Sequence, residues 1–232
     1  VGTALKKDEY VTDCSDIDDI IVFTEDGKMM VTKVDTKTFV GKNIIHVAVF
    51  KKKDKRTIYN MIYRDGAKGA SYVKRFAVTG TIRDNEYEMT QGNKGSKVLY
   101  FTANPNGEAE IVQVLLRQTG SIKKLKFELD FADILIKGRN SKGNIVSKYP
   151  IKRIELKEKG LSTLKPRKIW FDDTVQRLNL DARGEYLGEF RKDDRLLIIN
   201  QSGKIKTVIP DVTLRFDDGM ILLEKWRPKK PV

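Results

Sequence analysis

The 232-residue chain reads as all-β: a propeller-like radial array of about five four-stranded blades. Three observations predict this. Short β-branched or aromatic runs recur, each followed by a glycine-bearing turn and a second alternating run. The turn glycines Gly27, Gly66, Gly107 and Gly143 stand at near-equal intervals, with Gly203 after a longer one, which is the spacing of a radial repeat. No stretch of about 12 or more residues carries a convincing helical period.

Taken in order, the repeating segments are "DIIVFTEDGKMMVTKV" (19–34), "TIYNMIYRDGAKGASYVKRF" (57–76), "VLYFTANPNGEAEIVQV" (98–114), "DILIKGRNSKGNIVSKYPI" (133–151) and "RLLIINQSGKIKTVIP" (195–210). Each is expected to form a hairpin, because glycine supplies the positive φ that tight turns require. Alternation such as Ile205 and Val208 against Lys204 and Lys206 predicts an apolar face and a charged one. Connector strands are expected at "KNIIHVAVF" (42–50), "SIKKLKFEL" (121–129) and "KRIELKE" (152–158). The long last interval holds "RKIWFDD" (167–173) and "GEYLGEF" (184–190), an extra strand pair or a distorted blade. A lone hairpin is marginal in water, so the units must pack on one another. No low-complexity linker divides the chain. One domain over 1–232 is expected, with "PKKPV" (228–232) as a basic tail.

Composition narrows the function classes. The net charge is +13 and the sequence pI about 9.6, beyond what solubility needs, and this suggests a polyanionic partner. No apolar run approaches the ~18 residues that span a bilayer, and no secretory segment opens the chain. The start at Val1, without methionine and directly on strand-like sequence, suggests a piece of a longer protein. Cys14 is the single cysteine, so no internal disulfide forms and a reducing cytoplasm fits. The single histidine, His46, lies in an apolar run and reads as structural, which leaves a catalytic thiol without its partner and a zinc site without ligands. Asp16, Asp18 and Asp19, and the pair Asp172 and Asp173, read as turn or strand-entry residues. No residue reads as catalytic, and no cofactor or metal site is expected in this chain.

The cations are dispersed over the repeat, and those expected to contact DNA are Lys28, Lys33, Arg64, Lys68, Lys74, Arg75, Lys123, Lys124, Lys126, Lys137, Arg139, Lys142, Lys148, Lys152, Arg153, Lys204 and Lys206. One cluster per blade suits a ligand that runs past all of them. Duplex DNA carries one charge per ~1.7 Å of axis, and its phosphates are met without regard to sequence. Charge reversal at Lys148, Lys152 and Arg153 is expected to weaken binding, and at Lys204 and Lys206 to do so less strongly. Tyr59, Tyr63, Tyr72, Tyr100, Phe101 and Phe23 lie in the apolar runs and read as core, not as a base-stacking platform. Two other readings compete: a propeller-like scaffold for acidic protein partners, without the WD or kelch signatures that would favour it, and a hydrolase, without convergent acids.

The units "DDIIVFTEDGKMMVTKV", "GKNIIHVAVF" (Gly41, Lys42, Asn43, Ile44) and "RLLIINQSGKIKTVIP" resemble the repeat of the C-terminal domains of bacterial gyrase and topoisomerase IV A subunits. The resemblance implies a β-pinwheel whose neighbouring blades exchange strands, with DNA along a basic outer rim. Gyrase A subunits usually carry a glycine-rich basic box, Q-R-R-G-G-K-G, in a connecting segment. The nearest match, "YRDGAKG" (63–69), keeps Arg64, Gly66, Lys68 and Gly69 but falls in a hairpin turn. The resemblance therefore implies a topoisomerase IV-like part: orienting the DNA segment to be passed, in decatenation and relaxation, by a cytoplasmic, nucleoid-associated enzyme. It also implies the partners, namely the breakage-reunion domain of the same chain and a B subunit that binds ATP, with Mg in the holoenzyme. "QGNKGSK" (91–97) lacks phosphate-loop spacing and reads as a polar loop.

Overall fold

The computed structural model describes residues 1–3, 9–120, 122–191, 193–217 and 219–228. Of the expected tail at 228–232, residues 229–232 lie outside them. Among the described residues there is no α-helix, only a 3-10 turn at Phe131–Asp133. The chain is all-β, as its sequence predicts, and it divides into two compact units, Val1–Thr163 and Leu164–Val232.

The first unit holds three sheets built on one plan. A central strand makes a hairpin with the next strand and pairs on its other side with a third, all antiparallel. In the first sheet these are β1 (Asp19–Thr24), β2 (Lys28–Lys33) and β3 (Ile44–Phe50). The β1–β2 turn is fixed by Thr24, whose hydroxyl donates to Asp26 Oδ1 at 2.5 Å and whose carbonyl accepts from Gly27 N at 3.0 Å. The second sheet takes β4 (Ile58–Arg64) as centre, with β5 (Ser71–Ala77) in the hairpin. The chain then leaves this sheet: β6 (Glu86–Glu88) pairs with β2 of the first sheet before β7 (Lys97–Asn104) returns to β4.

The third sheet repeats the manoeuvre. Its centre is β8 (Ile111–Leu116), its hairpin partner β9 (Lys126–Asp130). Next, β10 (Ile136–Lys137) runs parallel to β5 and β11 (Asn144–Ser147) antiparallel to it, both on the second sheet, before β12 (Ile151–Glu158) closes on β8. The first sheet thus receives one strand, and the second two, from the segment that follows. The chain returns against β5 so tightly that a Cβ on Gly143 would lie 2.2 Å from Val73 O, and Gly143 sits at φ +88°.

The second unit holds two further sheets: β13 (Arg167–Asp172) between β14 (Arg177–Asn179) and β15 (Glu185–Phe190), and β16 (Leu196–Asn200) between β17 (Ile205–Val208) and β18 (Met220–Lys225). The connector at 180–184 is too short to carry an exchanged strand. Between β17 and β18 the exchange shrinks to one bridge, Arg177 opposite Arg215, with Phe216 N donating to Gln176 O at 3.2 Å.

Among the described residues five sheets match the expected number of blades, but only one has four strands; one has five and three have three. Three of the five expected hairpins pair as such, at 19–34, 57–76 and 195–210. The other two are crossovers. Segment 98–114 passes from β7 in the second sheet to β8 in the third, and 133–151 supplies the two exchanged strands. The alternation read at 205–208 is also corrected: Lys206 lies opposite Ile198 and Val208 opposite Leu196 on one face, while Ile205 is 68% exposed on the other.

The second sheet is buried on both faces. Tyr59, Met61, Tyr63 and Phe76 join one core cluster with Phe23 and Met29 of the first sheet, and Ile62 and Val73 join another with Val112, Val114 and Phe131 of the third. The aromatic residues read as core pack there: Phe23 lies 4.8 Å from Tyr59 and 4.6 Å from Phe101 between ring centres, and Tyr63 stacks on Tyr72. His46 is half-buried beside Phe23 and Phe101, and burial lowers its pKa. The acids act locally: Asp18 accepts from Ser15 N, Asp19 pairs with Arg83 at 2.8 Å, and Asp172 accepts from Thr174 N.

Candidate nucleic-acid interface

Two of the cations expected at the surface are interior. Lys74 and Arg75 on β5 are each 1% exposed, because both faces of their sheet are covered. Arg75 donates to Asn60 Oδ1 at 2.9 Å, to Phe131 O and Thr163 Oγ1 at 3.2 and 3.0 Å, and to Gly107 O at 2.9 Å. It ties the second sheet to the β7–β8 crossover and to the end of the unit. Lys74 occupies the one β5 position left between β10 and β11. Its Nζ donates to Arg139 O and Ser141 O at 2.6 and 3.2 Å, and lies 4.9 Å from the centre of the Phe76 ring. Neither side chain reaches a ligand outside the fold.

Burial pushes the Lys74 ammonium down to about 8. Its unfolded value is ~10.4, so between these limits the unfolded chain holds the extra proton and stability rises with pH. From pH 7 to 10, the native chain should gain roughly 1–3 kcal/mol relative to Lys74→Met, at about 1.4 kcal/mol for each tenfold loss of proton affinity on folding, less solvent relaxation. Paired urea titrations at the two pH values measure this.

Three more of the expected contacts are half-buried and already engaged. Lys28 pairs with Glu86 of the exchanged β6, and that bond raises its pKa. Arg64 donates to Gly66 O at 2.9 Å and Gly95 O at 3.2 Å, locking the "YRDGAKG" turn to the "QGNKGSK" loop. Arg139 donates to Gly80 O at 2.6 Å and lies 4.2 Å over the Tyr87 ring.

The other twelve are exposed, and the fold gathers them unevenly. At one end of the third sheet the last residues of β8 meet the first residues of β9 and β12. Leu115 is opposite both Lys126 and Arg153, Leu116 N donates to Leu125 O, and Arg117 N donates to Pro150 O, the last two at 2.8 Å. This brings Lys123, Lys124 and Lys126 together with Lys148, Lys152 and Arg153, although the two sets are more than twenty residues apart in sequence. Segments 115–127 and 145–154 contain no acid at all. The opposite end of the sheet is acidic, with Asp130 and Glu158 both facing Ile111. Over the ~17 Å length of β8 the sheet therefore passes from anionic to cationic. Lys126 and Arg153 share the solvent face with Leu115, since Val112, Val114 and Leu116 point into the core.

A second basic surface follows the exchanged segment. Lys137 is exposed, and Lys142 holds its Nζ 4.6 Å over Tyr72 while its carbonyl accepts from Tyr63 OH at 2.8 Å. Lys33, Lys68, Lys204 and Lys206 are exposed elsewhere, singly or as a pair.

Sequence reasoning passes over two basic elements. Arg117 completes the cationic end of the third sheet. Lys51, Lys52, Lys53 and Lys55 form an exposed loop between β3 and β4, wound around Asp54, which accepts from Arg56 N and Thr57 Oγ1 at 2.7 and 2.6 Å. Lys53 N donates to Thr79 O at 2.7 Å, so this loop and Arg139 flank the same turn. The signal for it is the densest basic run of the chain, "KKKDKR", outside the repeating segments.

Comparison with known proteins places the chain. Residues 1–159 and 177–232 match the family model described as Topoisomerase C-terminal domain, Bacteroidota. The chain is 27% identical over 157 residues to the A subunit of DNA topoisomerase 4 from Borreliella burgdorferi, covering 67% of this chain but only 23% of that protein. Among solved structures it is similar to a C-terminal domain of DNA topoisomerase IV (11% identity, 90% of this chain and 79% of that one, TM-score 0.40). It is also similar to a DNA gyrase A C-terminal domain (12% identity, 98% and 91%, TM-score 0.31). The match to the family model spans all but the stretch around the junction of the two units, and the chain belongs to this family of topoisomerase C-terminal domains.

Proposed function

We propose that this chain binds duplex DNA through phosphate contacts and serves as the DNA-positioning part of a topoisomerase A subunit, closest in role to that of topoisomerase IV. The observation that carries this is the cationic end of the third sheet: Arg117, Lys123, Lys124, Lys126, Lys148, Lys152 and Arg153 converge from two stretches without an acid, and of the seven only Arg153 has an acid beside it among the described residues, Glu155 at 3.2 Å. Such a surface meets a phosphate polymer without reading bases. The breakage chemistry and the ATP and Mg it uses belong to the rest of the enzyme, and the partners of this chain are the N-terminal domain and the B subunit. In this role the chain bends and presents the segment to be passed, in the bacterial cytoplasm.

One observation favours a stronger, gyrase-like bend. Gly138, Arg139, Lys142 and Gly143 form a glycine-flanked basic loop in a connecting segment, between β10 and β11. The two roles part in a plasmid assay with the full-length parent and its B subunit: decatenation and relaxation support the topoisomerase IV role, and net negative supercoiling supports the gyrase role. For the chain alone, a mobility shift should show micromolar or tighter binding to a 30-base-pair duplex of arbitrary sequence at low salt. Unshifted duplex at about 50 mM salt, the lower end of the range in which phosphate contacts dominate, overturns the reading.

A further inference from the structure

In the second unit the exchanged segment sets two arginines face to face. Arg177 on β14 and Arg215 are directly paired in an antiparallel bridge. Partners in such a bridge share one face of the sheet, with Cα atoms ~5 Å apart. That face is the outer one, because the neighbours on either side point inward. Leu178 is buried in the core of the unit, and Phe216 packs edge-on against Phe171 with ring centres 5.5 Å apart. Both arginines are exposed, and both line a cleft of about 1000 Å³ that also receives Arg183.

Like charges directly opposite each other on a sheet are destabilising; among the described residues the one acid in register with either arginine is Asp172, opposite Arg177 across β13 and β14. Among the described residues neither Arg177 nor Arg215 has a carboxylate in ion-pair contact or an acceptor for its guanidinium. Of the acids that line the cleft, Asp172 accepts from the backbone of Thr174 and Val175, and Asp181 lies 3.6 Å from Arg183. Asp217 pairs with neither of the opposed arginines. Guanidinium forks projecting from one face are donors that a phosphate accepts in bidentate fashion.

We infer that Arg177 and Arg215, with Arg183 beside them, form a phosphate site, and that its occupant is a backbone phosphate of duplex DNA. The choice of DNA rests on the function proposed above. The site itself rests on the bridge alone and gives the second unit a contact stronger than the exposed pair Lys204 and Lys206.

The test uses the whole chain and the double variant Arg177→Gln/Arg215→Gln. If the site holds DNA, the double variant binds a 30-base-pair duplex at least about tenfold more weakly, and its plot of log affinity against log salt is shallower by about 0.9, for the one phosphate released. Its melting temperature stays close to that of the native chain, because the like-charge pair is removed together with the opposition of Asp172 and Arg177. A residue serving only the fold would lower it. Arg177→Lys/Arg215→Lys keeps both charges and should retain the salt slope while losing affinity, since the forks are gone. A double variant with unchanged slope and affinity overturns the site while leaving DNA binding by the first unit intact. Titration with inorganic phosphate separates the two parts of the inference. Phosphate should raise the melting temperature of the native chain more than that of the double variant. If it does so in a chain that fails to bind duplex, the anion site stands and DNA falls as its occupant. Equal shifts in the two proteins overturn the site.

Discussion

Arg75→Leu should lose about 3–5 kcal/mol of folding free energy, the cost of breaking a buried, hydrogen-bonded charge. The guanidinium satisfies Asn60 Oδ1, Phe131 O, Gly107 O and Thr163 Oγ1; with leucine, Asn60 Oδ1 and Thr163 Oγ1 lose their donor, while Phe131 O keeps only Ile134 N and Gly107 O only the backbone and hydroxyl of Thr163. Domains of ordinary stability have roughly 5–15 kcal/mol in all, so the variant should be marginal at 37 °C. A urea titration followed by far-ultraviolet circular dichroism measures the loss. At low temperature, where the variant is folded, its affinity for duplex DNA should match that of the native chain, because Arg75 does not reach the surface. A variant that unfolds like the native chain but binds DNA weakly would return Arg75 to the surface.

The largest expected effect on binding comes from reversing charge at the cationic end of the third sheet. Lys148→Glu/Lys152→Glu/Arg153→Glu should lower affinity by two orders of magnitude or more and flatten the salt slope by about 2.7, for about three lost phosphate contacts. Lys123→Glu/Lys124→Glu/Lys126→Glu should have an effect of the same size. The two triple variants disturb one surface, so their combination should fall short of the sum of the two. Lys204→Glu/Lys206→Glu should weaken binding less than either. Equilibrium titrations of a labelled duplex at several salt concentrations measure all four. Additive losses, or a full effect from only one of the triples, would mean that the two sets contact DNA separately.

The comparison between these triples shows what the sequence reveals and what it hides. Three hairpins are legible because each carries its own turn glycine between two strands that pair locally, as at Gly27, Gly66 and Gly203. The crossovers at Gly107 and Gly143 look the same in sequence, since a glycine at positive φ serves an exchanged strand as well as a hairpin turn. Strands as short as β6 and β10, of three and two residues, carry no period by which to assign them to a sheet.

The misplaced cations have a related cause. Lys74 and Arg75 are consecutive, so on any strand they point to opposite faces. Both are buried because the second sheet is covered on both faces. The unbroken burial of "IYNMIY" in β4 is the mark of such a strand, and a basic pair in the strand beside it has no solvent face to occupy. The convergence of Lys126 with Arg153, and of Arg177 with Arg215, depends on register across strands distant in sequence. The number of charges is visible in the composition, but their arrangement is not.

The most direct test of a phosphate-tracking surface is the salt dependence of the native chain on a 30-base-pair duplex. With six or more phosphates engaged, log affinity should fall against log salt with a slope of about −5 or steeper, at ~0.9 per contact, and should be indifferent to base sequence. A slope shallower than about −2, which corresponds to no more than two phosphates, would contradict the account.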